Sequence, residues 1–176
     1  MAHKTRFNPE SGNWKRDKIL YGKHPWLLQP AYWTVAVYRF GRFSRTAPRA
    51  IRLPIHALYV LCYLAVRLTT GIDLPRSAEF GPGLLIHHFG GIVIHPNTKV
   101  GKNFTMRHGV TIGAKVGTGA PVIGDNVTLG AYAQVLGDVT VGSDSVVGAM
   151  TLVLKDVPAG AVVAGIPARI ISTDFR

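Results

Sequence analysis

From Ile123 to Val153 every sixth residue is apolar, namely Ile123, Leu129, Val135, Val141, Val147 and Val153, and glycine follows four of the six. A period of six fits neither the 3.6 residues of a helix turn nor an isolated alternation of two. It fits a coil with three short flat sides, each turning one branched side chain inward, with a small residue letting the chain round the corner. An ordinary sandwich of short strands is the rival reading of the same stretch.

The count extends backwards through Ile94, Val100, Met106 and Ile112, and again through Leu74, Phe80 and Ile86. It slips twice, between Ile86 and Ile94 and between Ile112 and Ile123. Stacking fixes the inward positions of a solenoid, so extra residues must bulge outward. The slips therefore predict two surface loops, His87 to Val93 and Ala114 to Val122, and loops on a rigid scaffold are where chemistry concentrates.

The run "VVGAMTLVLKDVPAGAVVAGIPARII" resembles the end of many hexapeptide-repeat acyltransferases. The resemblance covers roughly residues 71–176 and implies a mainly β fold, a left-handed parallel β-helix, preceded here by an α-helical N-terminal region. That fold is an exception to the right-handed crossover rule. The stretches "GID", "IHHFGGIVIHPNTKVGKNF" and "MRHGVTIG" more narrowly resemble the colanic acid (exopolysaccharide) acetyltransferases of the serine acetyltransferase-like group. Two regions follow: a basic, aromatic-rich arm with helices over 1–70, and the β-helix over 71–176.

Charge separates these regions as well. Residues 1–70 hold twelve Lys/Arg and two acidic residues, a net +10, whereas residues 71–176 hold eight and seven, a net +1. Residues 1–24 have little to bury and read as a loosely ordered arm. They lack the apolar core of a secretory signal, which points to a cytoplasmic protein. The single cysteine, Cys62, cannot form an internal disulfide and reads as a buried inert thiol in an apolar run.

Residues 25–70 predict two amphipathic helices bounded near Pro48 and Pro54. Their longest unbroken apolar stretch, Ala57 to Val66, is shorter than the roughly twenty residues that span a bilayer. Such a basic, aromatic-rich pair suits peripheral association with an anionic membrane at its inner face. It equally suits packing against the coil or neighbouring subunits, with the arginines solvated. No nucleic-acid recognition module is visible, so nucleic acid is not an expected partner.

On the coil, Ile86 and Met106 lie one turn apart on the same side. His88 should therefore stack on His108, and His87 on Arg107, at roughly the 4.8 Å spacing of strands. Moving an acetyl group from a thioester to a hydroxyl needs a base for the hydroxyl proton, and histidine suits this near neutral pH. The resemblance implies that His88 is that base and Asp73 the carboxylate orienting it, because these positions match the catalytic pair of serine acetyltransferases. His87, Arg107 and His108 are the candidate substrate-binding residues.

Two departures bear on the acceptor. His87 stands where serine acetyltransferases carry an aspartate that helps hold the amino acid, and the loop "GAKVGTGAPVIG" lacks their later substrate-binding histidine. Without an acid to face an ammonium group, a sugar hydroxyl fits better than free serine. His95 and His56 read as structural. The four histidines 87, 88, 95 and 108 also raise a zinc reading, although no Cys or acidic spacing supports it and no metal is expected.

The donor implied is acetyl-CoA, its pantetheine arm running past the small residues Gly130, Ala131, Gly148 and Ala149, with Lys155 and Arg169 facing its phosphates or simply solvated. No P-loop or dinucleotide fingerprint is present. The resembled enzymes are trimers with the site between subunits, so a homotrimer is expected. The reading is an acetyl-CoA-dependent O-acetyltransferase of a saccharide acceptor, an exopolysaccharide or its lipid-linked precursor. The alternatives are a serine O-acetyltransferase and a non-catalytic or metal-binding β-helical scaffold.

Overall fold

A computed structural model describes residues 12–117 and 119–173. Four helices come first: α1 (Gly12–Leu20), α2 (Pro25–Leu28), α3 (Pro30–Ser44) and α4 (Arg49–Thr70). Proline opens α2 and α3, where its missing N–H costs nothing. The end of α4 is set by Gly71, whose φ of 65° suits a residue without Cβ, and its N–H closes on the Arg67 carbonyl. Pro48 is the N-cap of α4, but Pro54 lies inside that helix rather than at a boundary.

Gly71 delivers the chain into a parallel β-solenoid of about five turns. Its first turn comprises β1 (Ile72–Asp73), β2 (Glu79–Phe80) and β3 (Leu85–His87), and its second β4 (Ile92–Ile94), β5 (Lys99–Val100) and β6 (Thr105–Arg107). The third comprises β7 (Thr111–Gly113), β8 (Val122–Ile123) and β9 (Thr128–Leu129), and the fourth β10 (Gln134–Leu136), β11 (Thr140–Val141) and β12 (Val146–Val147). The last uses β13 (Leu152–Val153), a bridge at Val157 and β14 (Val162–Ala164), against which β15 (Arg169–Ser172) folds back antiparallel. The three sides are β1-β4-β7-β10-β13, β2-β5-β8-β11 and β3-β6-β9-β12-β14-β15.

Each side turns two residues inward, not one. Leu84 accompanies Ile86, Ile92 accompanies Ile94, Thr98 accompanies Val100 and Phe104 accompanies Met106, all of them buried. Strand geometry requires this, since residues two apart share a face. The second inward position accepts Ala, Ser and Thr as well as larger residues, which hides it from a count of apolar residues. Glycine at corners has a steric basis: a Cβ on Gly142 would sit 2.4 Å from the Ala159 nitrogen one turn on.

Another corner is held by polar side chains. Asn103, Asn126 and Asp144 share left-handed backbone, a conformation that Asn and Asp tolerate. Their side chains form a ladder, with Asn103 Nδ2 donating to Asn126 Oδ1 and Asn126 Nδ2 to Asp144 Oδ1, each at 2.8 Å.

The described part of the first 24 residues is ordered, contrary to the loose arm expected from its polarity. Asp17 on α1 is 1% exposed and pairs at 2.7 Å with Arg39 on α3, itself 7% exposed. Asp17 Oδ1 accepts from the Gly83 and Leu84 N–H groups, and Arg39 donates to the Phe80 and Gly81 carbonyls. The Tyr21 hydroxyl accepts from the Ile86 N–H, and the Tyr38 hydroxyl accepts from Phe80 and donates to Ala78. Side chains from the helices thus satisfy the strand edge that would otherwise face an absent turn.

Candidate active site

β3 and β6 are register partners: Ile86 faces Met106 and His87 faces Arg107. The next residues, His88 and His108, therefore leave the same side at the same corner. Their rings meet edge to face with centroids 5.9 Å apart, as the six-residue count predicts. His88 has φ 62°, so the corner aims its side chain from left-handed backbone, and Gly90 and Gly91 complete the turn into β4. The loop is shorter than the expected His87 to Val93, because β3 retains His87 and β4 begins at Ile92. The second loop falls between Gly113 and Val122, as expected.

His108 also meets Tyr132, one turn further along, at 5.1 Å between ring centroids, and its Nδ1 is buried with no hydrogen-bond partner. Tyr132 is a contributor that the sequence reading missed, although the six-residue count carried to Leu129 places it at this corner. His87 is exposed, yet the protein around it withholds enough water, and Arg107 and His88 add enough positive charge, to hold its imidazole below the ordinary histidine range. Arg107 thus sets a positive charge beside the two histidines at this corner.

Among the described residues no hydrogen bond or ion pair joins Asp73 to His88. β1 places Asp73 on another side of the coil, against β4, where Tyr63 of α4 donates to Oδ1 and Arg67 of α4 pairs with Oδ2 at 3.0 Å. The Tyr63 hydroxyl is pushed up by burial and by this carboxylate. Sequence spacing alone could not reveal that α4 would reach Asp73 first.

Continuing the register past Met106 opposite Leu129, and Leu129 opposite Val147, sets Ala131 and Ala149 in one column with His108. Gly130, Ala131, Gly148 and Ala149 thus lie one and two turns beyond the histidines on a single edge. The close fit of Gly130, where a Cβ would come within 2.5 Å of the Ala149 nitrogen, keeps that edge slim. Lys155 and Arg169 line a shared cavity of about 250 Å³ near the last turn, with Pro167 and Ala168. Asp156 lines the same cavity, so its charged lining is mixed in sign.

His95 accepts a hydrogen bond at Nδ1 from the Asn97 N–H and stays structural, as expected. His56 stacks on Tyr59 of the same helix. Cys62 is only partly buried. Among the described residues no group of three His, Cys, Asp or Glu converges as a metal site would require.

Residues 120–155 match the family model "Bacterial transferase hexapeptide (six repeats)". The chain is similar to the serine acetyltransferases and carries hexapeptide repeats over this stretch. It is 42% identical over 108 residues to a serine acetyltransferase of Mycobacterium tuberculosis, covering 60% of this chain and 47% of that protein. The chain thus spans about half the length of that curated relative. The crystal structure of serine acetyltransferase from Brucella abortus superposes with a TM-score of 0.78 at 27% identity, covering 90% of this chain and 67% of that one. A serine acetyltransferase in complex with CoA superposes with a TM-score of 0.72 at 26% identity, covering 84% and 60%. The expected kinship with serine acetyltransferases stands, while these relatives lend none to the narrower exopolysaccharide group.

Proposed function

We propose that this protein transfers an acetyl group from acetyl-CoA to a hydroxyl group, with His88 as general base. The observation that carries the reading is the single edge on which His88 and His108 stack in line with Gly130, Ala131, Gly148 and Ala149. His88 takes the acceptor's proton as its oxygen attacks the thioester carbonyl. The carbon–sulfur bond then breaks, and the thiolate leaves with that proton as CoA. Asp73 acts through Tyr63 and Arg67 by fixing α4 beside this edge, a positioning role in place of direct contact with the base.

Serine is the acceptor that the named relatives support. A second reading, a sugar hydroxyl, is favoured by His87 and Arg107, which present positive or neutral groups where a serine ammonium would need a carboxylate. Following CoA release with acetyl-CoA and either serine or nucleotide- and lipid-linked sugars separates the two. Turnover with serine alone would end the saccharide reading, and turnover with sugars alone would end the serine one. Release with neither, and no effect of His88→Ala on background hydrolysis, would leave a non-catalytic scaffold.

The same edge exposes Phe89, Tyr132 and Met150, an apolar rim suited to a neighbouring coil. A cyclic trimer is therefore the proposed assembly, and a solution mass near three times 19.0 kDa checks it. Helix α4 leaves Leu53, Leu61, Leu64 and Leu68 exposed, and within a region of +10 this supports docking on an anionic membrane surface of the cytoplasm. Its 22 residues are also long and apolar enough to span a bilayer by length and composition. Yet Tyr59, Val66 and Thr70 are buried against the rest of the protein, which favours lying on the surface.

A further inference from the structure

A cavity of about 300 Å³ lies between the end of α3, the first turns of α4 and the corner joining β1 to β2, lined by Ser44, Arg49, Arg52, Leu53, His56 and Arg76. We propose that it binds a phosphoryl group, either free or on a lipid headgroup. Three guanidinium groups and an imidazole converge there with no carboxylate in the lining. The ion pairs of the described residues involve Arg39, Arg67 and Lys102, so none of these three arginines has an acidic partner. Cations gathered without a counter-charge repel one another, and an anion between them removes that cost.

The donors are also held in place. Arg76 donates through Nη1 to Ser44 Oγ at 2.7 Å and lies over the Tyr59 ring at 4.7 Å. Arg52 is pinned by Nε and Nη2 to the Ala47 carbonyl, and Arg49 makes no hydrogen bond or ion pair among the described residues. His56 Nδ1 is buried and has no hydrogen-bond partner. It is a polar atom that a bound oxyanion would satisfy once it carries a proton. Planar guanidinium forks match phosphate oxygens in pairs, which makes arginine the fitting residue for such a ligand.

Two features favour a phosphate that carries an apolar chain. Leu53, in the lining, is 77% exposed and starts the leucine face of α4. From the cavity the rings of His56, Tyr59 and Tyr63 form a stacked row that ends on Asp73. A ligand held by its phosphate here lays its chain along α4, on the element that also contacts the candidate catalytic domain. This inference stands apart from acetyl transfer, since its test reads binding.

The test titrates the full-length protein with inorganic pyrophosphate by calorimetry. In parallel, vesicles of phosphatidylcholine with and without phosphatidic acid are co-sedimented with it. Saturable pyrophosphate binding is expected, weakened roughly ten- to a hundredfold by Arg49→Ala with Arg52→Ala and weakened less by Arg52→Lys, which keeps the charge but not the planar fork. Vesicle binding that needs phosphatidic acid, falls in the double variant and is competed by pyrophosphate identifies the lipid headgroup as the source. Pyrophosphate binding without such vesicle binding identifies a soluble phosphate. The proposal is overturned if wild type shows no saturable binding of either probe, or if the double variant, folded by circular dichroism, binds both as wild type does.

Discussion

Replacing His88 by alanine should slow CoA release in the presence of acceptor by roughly a hundred- to ten-thousandfold, the range that a positioned proton acceptor supplies. The loss should appear in kcat with little change in the KM for acetyl-CoA, because the small residues of the donor edge lie two and three turns from His88. Thermal unfolding should barely move, since His88 is exposed at a corner and contributes nothing to the coil interior. A His88→Ala protein that turns over within a few-fold of wild type would remove the base from the mechanism. His108→Ala provides the contrast: its ring props His88 and meets Tyr132, so acceptor KM should rise while part of kcat survives.

The largest expected effect on stability belongs to Asp17→Ala. The substitution strands a buried guanidinium on Arg39 and leaves the Gly83 and Leu84 N–H groups without an acceptor. Breaking a buried pair from one side typically costs about 3–5 kcal/mol, a large part of the roughly 5–15 kcal/mol that holds a domain folded. Urea unfolding should show the loss as a lower midpoint. Arg39→Met added to Asp17→Ala should recover part of it by removing the unpaired charge. A single variant within about 1 kcal/mol of wild type would mean that the network is solvated in solution.

What the sequence made legible depended on which residues the fold constrains one at a time. Ile86, Met106, Leu129 and their equivalents must each be apolar to point inward, so counting by six found the coil and placed His88 beside His108. Asp17 offered no such signal: a carboxylate in a polar, basic stretch looks solvated until Arg39, far along the chain, is brought against it. Asp73 was singled out by resemblance as the partner of His88, but its hydrogen-bonding and ion-pair partners, Tyr63 and Arg67, come from α4, whose docking no repeat encodes. Arg49, Arg52 and Arg76 carry no shared signal in the sequence, because only the fold gathers them around one cavity.

The hairpin that β15 makes with β14 has a bearing on assembly. A stack of parallel rungs left open at either end would present a growing tip to any identical molecule, the arrangement from which fibrils propagate. Here the reversed strand covers one of the three sides at one tip, and polar groups from α1 and α3 meet strand edges at the other. Capping of this kind works against end-on polymerisation, which agrees with the closed trimer proposed above.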